Sequence, residues 1–538
     1  MTAVTATQGS MPIVEAGDEI AASRLAHGGR EKPRATGRDR GAGPFKRLVL
    51  RGATVIDGTG APPWGPVDIV IEGDRIVELR SVGVPRKAID PAVRPSAGQH
   101  EIDCHGKFVT PGFIDAHAHI GSPFVASSTP PADYVYKLWL AHGVTTVREM
   151  GCFNGLSWTL DQRERAAAGT IAAPRIVAHA YFPAVNDILK ILHTPEQARD
   201  WLARLKKRGA DGVKFFGASP TIMQAALAEC AQLGLRSGCH HAQTAVTRMN
   251  ALTTAQWGLT SAEHYYGLPE ALFEHRVVQN YPADYNYSDE YFRFSAAGQT
   301  FSQAAQPGSA TWRNAMDRFL ELGFTFVPTF GIYDANRDLM RTRRADWHDD
   351  YTWKSYWDYF QPYRGGHGSY WYRWSTKNEI EWKENYRLWM RFINEYKNRG
   401  GRVCAGSDSG FIFQVFGFGF VRELEMLQEA GFHPLEVLRA ATLEGAHLLG
   451  IEADCGSLEV GKRADLLVHD QNPLEDFKLL YGTGAMRLND DTQRVEWQRG
   501  LSRTIAGGIC YDTAELLADV RAMVAASHAE AAVEAPAA

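Results

Sequence analysis

No two of the chain's seven cysteines stand in a Cys-x-x-Cys pair, which argues against a thiolate zinc knuckle, and their odd number argues against a disulfide framework. Such cysteine usage suits a reducing compartment, and a cytoplasmic protein is expected. No run of about 18 apolar residues occurs, so no transmembrane helix is expected. Basic residues show no excess either: 57 Lys and Arg stand against 62 Asp and Glu, for a net charge of −5. Without a basic field, a nucleic-acid or anionic-membrane partner is disfavoured. The first residues, MTAVTATQGSMPIVEAGDEI, lack the basic-then-apolar order of a secretion signal. Mixing Gly, Ala, Thr and both charge signs without periodicity, residues 1–44 read as a disordered extension.

Apolar strands, by contrast, abound in the 538 residues, enough chain for a large barrel or two to four ordinary domains. FKRLVLRGATVIDGTG and VDIVIEGDRIVELR carry β-branched residues around Asp-Gly and Gly-Asp turns and read as a small antiparallel sheet. From about Thr110 to Gly450 the texture changes. VTTVREM, DGVKFF, RSGCHHA, TSAEHY, TFVPTF and RVCAGSD look like buried strands, with amphipathic stretches such as QAALAECAQLG and FVRELEMLQEAG between or after them. Strand-helix alternation over that length predicts one parallel α/β barrel with insertions. Strand texture returns in GSLEVGKRADLLVHD and VEWQRGLSRTIAGGICYD. The expected fold class is therefore α/β: a (β/α)8 TIM-like barrel over 109–451 with a discontinuous β-sandwich domain built from both termini, 45–108 and 452–512. A C-terminal helix and Ala-rich tail fill 513–538.

Seven of the 14 tryptophans fall between Asp346 and Tyr396. Trp353, Tyr356, Trp357 and Phe360 are spaced i, i+3, i+4, i+7, and Trp382, Tyr386 and Trp389 i, i+4, i+7, as on two amphipathic helices flanking a Gly-Gly-His-Gly loop. The plain reading is a helical insertion, about 346–396, packing its own aromatics. The functional reading is a lid that lends aromatic walls to a substrate pocket.

The sharpest chemical signal is PGFIDAHAHIG, where His117 and His119 stand two apart at the end of an apolar strand. Side chains at that spacing face one side, so two imidazoles could reach one metal. Later strand ends add Lys214 after DGV, His240 and His241 closing RSGCHH, His264 closing SAEH and Asp408 closing VCAGSD. In a parallel barrel all strand C-termini open on one face, so these side chains would converge. Singly, each has a plainer explanation: a surface lysine, a satisfied buried histidine ring, a helix-capping Asp.

Together these segments resemble the amidohydrolase superfamily of metal-dependent enzymes, and more closely its prolidase-like and imidazolonepropionase-like branch. The resemblance runs from about Phe45 to Tyr511. It rests on Gly-Phe-Ile-Asp-Ala-His-Ala-His, HGVTTVREMG at 142–151, Lys214, the histidines of the two following strands, AGSDSG at 405–410 and GSLEVGKRADLLVHD at 456–470. It implies two divalent metal ions, with His117 and His119 as ligands of the more buried one. Lys214 is implied as a carbamate, made with carbon dioxide, that bridges both ions. His241 and His264 are implied as ligands of the second ion, and Asp408 as the last ligand and proton shuttle. His240 competes with His241; the following Ala242 and the 23-residue distance to His264 favour His241. Zinc is favoured, although manganese, iron or cobalt fit similar geometry.

Elementary chemistry agrees with those implied roles. Two divalent ions need bridging anions, which a carbamate supplies and an ammonium does not. Water between them has its pKa lowered towards neutrality, and Asp408 can take its proton and pass it to the leaving group. One metal would polarise the carbonyl in place of an oxyanion hole.

Some positions depart from the family pattern. Arg148-Glu149 replaces the usual Arg-Asp, and Tyr265 and Tyr266 follow His264 where many relatives have Gly; with His240, these tyrosines are candidate substrate contacts. His264 and Asp408 are 144 residues apart, which leaves room for the Trp-rich insertion, whereas FFGASP after Lys214 is short. The implied activity is hydrolysis of a C-N amide-type bond in an N-acyl amino acid, Xaa-Pro dipeptide or aryl amide or carbamate, with a hydrophobic or aromatic group near the bond. Lactone, ester or phosphotriester hydrolysis by the same centre is the runner-up. Deamination ranks lower, since deaminase-type sites usually work with one metal and lack the bridging lysine. A metal-free scaffold on this fold would have lost ligands, whereas all six candidates are present. The expected partner is a small molecule, and a homo-oligomer is compatible because related barrels often assemble.

Overall fold

The computed structural model describes residues 33–121, 130–185, 188–189, 192–362, 364 and 370–534. Its centre is a curled sheet of eight parallel strands in the order β6 (Phe113–Ala118), β7 (Val144–Gly151), β8 (Arg175–Tyr181), β11 (Gly212–Phe215), β12 (Arg236–His240), β13 (Ser261–Glu263), β14 (Thr325–Val327) and β15 (Arg402–Val403). Every residue of β6, β7 and β11 is buried, the continuous burial that a parallel sheet covered on both faces demands. Helices α1 (Ala132–Ala141), α2 (Leu156–Ala167), α3 (Pro195–Lys207) and α4 (Pro220–Leu233) fill the early crossovers, and α5 (Ala251–Gln256) and α6 (Glu290–Ala297) follow β12 and β13. The chain beyond β15 returns to β6: Ala116 N–H donates to Ala405 O (3.0 Å) and Asp408 N–H to His117 O (2.8 Å).

A second sheet takes strands from both ends of the chain. Its order is β20 (Ile509–Asp512), β19 (Leu501–Ala506), β16 (Leu466–His469), β5 (Phe108–Pro111), β1 (Leu48–Val55), β2 (Trp64–Glu72), β3 (Arg75–Ser81), with β4 (His100–Asp103) also on β1. The junction between early and late strands is the antiparallel β5–β16 ladder, Thr110 opposite Leu467. Leu48, Leu50, Val67, Ile69, Leu466, Val468 and Ile505 form one apolar core beside it. Two small hairpins stand apart, β9 (Ala184–Val185) with β10 (Ile188–Leu189) and β17 (Ala485–Asn489) with β18 (Arg494–Gln498).

The expected disordered extension lies outside the described residues as far as residue 32, but from Pro33 onward the structure differs from that expectation. Ala35 is buried and its N–H donates to Gln162 Oε1 (3.3 Å). Arg40 grips Asp519 through two hydrogen bonds (2.8 and 2.7 Å), and Lys137 Nζ lies between Asp39 and Asp519 (2.7 and 2.8 Å). These charges tie residues 33–44 to α1 and to the C-terminal helix α11 (Thr513–Glu534). The alanine-rich tail is helical as far as Glu534, as strong helix formers favour. Leu516, Leu517, Val520 and Val524 bury its inner stripe.

In the Trp-rich stretch, the second expected helix forms as α9 (Thr376–Asn398), capped by Ser375 and buried along Trp382, Tyr386, Trp389 and Ile393. The first is shorter than its stripe: α8 covers Lys354–Tyr359, with Trp353 as N-cap and Phe360 as C-cap. The Gly-Gly-His-Gly loop lies outside the described residues.

Candidate metal centre

Parallel strands deliver their C-terminal side chains to one end of the sheet, and there the structure gathers His117, His119, Lys214, His240, His264 and Asp408, all buried. Asp408 is the hub. Its Oδ1 lies 3.2 Å from His119 Nε2 and 3.6 Å from His117 Nε2, and its Oδ2 lies 3.6 Å from His264 Nε2. Ligand atoms of His117, His119 and Asp408 all fall within 4.8 Å of one another. Lys214 Nζ sits 3.3 Å from His117 Nε2, and the His240 ring lies 4.6 Å from that of His264.

The backbone pays for this convergence. His264, Thr329 and Asp408 all hold positive φ (63°, 48° and 48°), the kind of strain that clusters at working sites. Asp115 fixes the last of these segments by accepting from Ser407 N–H (2.9 Å), Ser407 Oγ (2.5 Å) and His117 N–H (3.2 Å).

Two of the central imidazoles, His117 and His264, are oriented from behind. His117 Nδ1 donates to Glu263 Oε2 (2.8 Å), which leaves Nε2 facing Lys214 and Asp408. Glu263 is itself clamped by Arg148 Nη2 (2.8 Å to each oxygen) and Ser261 Oγ (2.6 Å), and Arg148 also donates to Ser261 and Ala116 O. His264 Nδ1 lies 2.6 Å from Thr329 Oγ1. This is how imidazoles are held with one nitrogen presented to a metal. Burial drives His117, His240 and His264 well below the usual imidazole range, so the rings stay neutral, as ligation requires. Burial likewise lowers the Lys214 ammonium to about 8, against the pull of Glu263 and Asp408.

The fifth-strand ligand was expected at His241, whereas the ring that the structure places among the other candidates is His240. Gly238 faces inward, since a Cβ there would meet Glu263 Oε1 at 2.6 Å, and His240 two residues on shares that face. His241 turns outward: its Nε2 lies 2.8 Å from Thr254 Oγ1 of α5, and its ring lines a small apolar space with Met223, Cys239 and Met249. The two tyrosines part in the same way. Tyr265 donates its hydroxyl to Ala297 O (2.9 Å) and packs against Trp389 and Trp382, within the core. Tyr266 lies 5.3 Å from the His240 ring and faces Tyr333.

Glu263, Thr329, Tyr333 and Arg293 join the site without having been expected there. Arg293, on α6, reaches Gln243 (3.2 Å) and Glu290 (3.3 Å), and its charge is felt by His240, His264, Tyr266 and Tyr333. The aromatic wall comes from Phe153 (5.0 Å from the His119 ring), Phe216 stacked on His240 (4.9 Å), Tyr181, Tyr266, Tyr333 and Phe411. Among the described residues none of the seven insertion tryptophans makes ring contact with a candidate ligand. Trp382 instead stacks behind Tyr333 (5.4 Å) as a buttress.

The sequence profile of the amidohydrolase family matches residues 108–285 and 389–496, more than half of the chain, and the matched ranges include His117, His119, Lys214, His240, His264 and Asp408. The chain belongs to the amidohydrolase family. Solved amidohydrolase-fold structures agree on its shape: a Xaa-Pro dipeptidase with bound methionine (TM-score 0.56, 19% identity, covering 87% of this chain and 100% of that one) and a bottromycin amidohydrolase (TM-score 0.61, 19% identity, covering 95% and 94%). At that identity the likeness concerns the fold alone. An adenine deaminase of Geobacillus kaustophilus is 32% identical over 129 residues, 22% of this chain and 20% of the relative, so the match spans about a fifth of that protein's length. No described helix of this amidohydrolase is long and apolar enough to cross a membrane.

Proposed function

We propose that this amidohydrolase hydrolyses a C-N amide-type bond in a substrate carrying a carboxylate and a hydrophobic or aromatic group, such as an N-acyl amino acid or an Xaa-Pro dipeptide. The observation that carries the reading is the convergence of three imidazoles on Asp408 with Lys214 beside His117. The donor set fits divalent ions: neutral imidazoles with one nitrogen each directed at a shared carboxylate, and a buried amine poised to become a second. His117, His119, Lys214, His240, His264 and Asp408 would hold two ions, with zinc favoured. Bound there, they would supply Lewis acidity, polarising the scissile carbonyl and making water more acidic.

The chain's own groups do the rest. The neutral Lys214 amine would form an N–C bond to carbon dioxide as one C=O π bond opens onto oxygen and the proton passes to water, and the resulting carbamate would offer anionic oxygens to the ions. Asp408 accepts the proton of the attacking water and returns it to the leaving nitrogen. Arg293 and Tyr266, on the His240 side, receive the substrate carboxylate, which favours acyl amino acids and dipeptides over aryl carbamates. Phe153, Phe216 and Phe411 flank the apolar group and exclude water.

Supporting features extend to the whole chain. The hydrogen bonds from β6 to residues 405–408 favour a closed (β/α)8 barrel over 109–451, and the shared apolar core favours a sandwich from 45–108 with 452–512. Seven unpaired, buried thiols suit the cytoplasm.

The test is a panel of N-acyl amino acids, prolyl dipeptides, their methyl esters, aryl carbamates, lactones, phosphotriesters and adenine, run with metal-reconstituted enzyme. Free acids turning over at least about tenfold better than their esters, with Arg293→Met removing that preference, is the expected result. Ester or lactone turnover indifferent to Arg293 would overturn it, and ammonia released from adenine would move the assignment to deamination.

A further inference from the structure

Thirteen large apolar side chains are exposed among the described residues, and four of them share one hairpin: Met486, Leu488, Val495 and Trp497, each 55–59% exposed. The ladder pairs Met486 with Trp497 and Leu488 with Val495, so all four lie on one face of β17 and β18. The polar residues take the other face, where Arg487 bonds Asp476 and Asn489 donates to Glu496 (3.0 Å). Polarity is thus inverted, with charge toward the body and apolar side chains outward. Among the described residues these strands pair only with each other, and an isolated two-stranded hairpin is marginal in water unless something covers it.

We propose that a second copy of this chain covers it, face to face about a two-fold axis. The four side chains expose roughly 500 Å², at the upper end of what a monomer shows. Doubled over two copies, that is about the 1,000 Å² at which specific interfaces begin. Charge selects the partner and the direction. The tip carries exposed Asp490 and Asp491 beside Arg494, whereas the base carries exposed Arg499. An acidic tip repels an anionic bilayer. In an isologous pair with strands antiparallel, each acidic tip meets the other copy's Arg499; the parallel arrangement would set tip against tip.

The test is sedimentation velocity of the full-length protein at micromolar concentration. Wild type should sediment as a dimer or an even-numbered assembly. Leu488→Glu with Trp497→Glu should weaken association at least about tenfold, with the hydrolytic rate per chain unchanged because the altered side chains lie outside the metal centre. Arg499→Asp should weaken association as well, and adding Asp490→Arg and Asp491→Arg in the same chain should restore it, a rescue that misfolding cannot mimic. A monomeric wild type, or variants that associate as before, overturns the proposal. Binding of wild type to phosphatidylcholine vesicles that the double-Glu variant loses would overturn it in favour of a membrane surface.

Discussion

Lys214 is the residue whose chemistry is most exposed to test. Beside the proposed metal ions, a buried amine 3.3 Å from His117 Nε2 would have to become an anion. Lys214→Ala should therefore lose most bound metal and about a thousandfold or more in kcat, with partial return on adding a short carboxylic acid. Unchanged metal content would contradict the bridge. His240→Asn should lose metal while His241→Asn keeps it, and metal analysis of the two variants separates them. One layer back, Glu263→Gln leaves Arg148 buried without its counter-charge and His117 without its acceptor. A cost of about 3–5 kcal/mol in stability and a 10–100-fold loss in metal affinity are expected from denaturant titration and metal competition. This layer was hard to read in the sequence because Arg148 and Glu263 lie 115 positions apart. The available signal was charge within buried-strand segments, Arg148 in VTTVREM and Glu263 in TSAEHY. The difference between His241, the expected ligand, and His240, whose ring faces the cluster, has a simple cause. A strand reverses face at every residue, so a His-His doublet always offers one ring to the site, and only the inward Gly238 fixes which one.

At the scale of elements, strand-helix alternation and the order of polar strand ends were legible, since period and apolar runs are local properties. Residues 33–44 were not, because their order comes from single long-range anchors such as Arg40–Asp519 and Ala35–Gln162. The role of α9 was legible only in part: its apolar stripe was clear, but its position behind Tyr333 depends on tertiary packing. Trp382→Ala should therefore cost about 3–5 kcal/mol and raise KM more than it lowers kcat, as Tyr333 loses its support. Unchanged KM in a folded variant would remove α9 from the site's support. The C-terminal end of α1 makes a separate prediction. His142 is buried and held down to about 4, its Nδ1–H donating to Leu138 O (2.8 Å) and its Nε2 accepting from Gly482 N–H (3.1 Å). Because its folded pKa lies below the unfolded value near 6.5, the unfolded chain takes the proton first. Its contribution is complete above pH 6.5 and is lost as the pH falls towards 4, by roughly 3 kcal/mol. Thermal midpoints from pH 7 to 4.5 should fall less steeply in His142→Gln, and identical slopes would contradict the assignment.

Across the whole molecule, candidate ligands drawn from nearly three hundred residues of sequence meet at one end of one sheet, while strands from the two chain ends close a second sheet beside it. Metal loading should consequently stabilise the protein as a whole, because the six proposed ligands on five separate strand ends would be tied together at once. Chelation should lower the thermal midpoint by several degrees, and returning zinc should restore it. The most direct test of the central claim is elemental analysis of protein purified from metal-supplemented medium, paired with the midpoint before and after chelation. Close to two divalent ions per chain, with a midpoint that falls on their removal, is the expected result. Metal-free protein whose midpoint ignores chelation would contradict it.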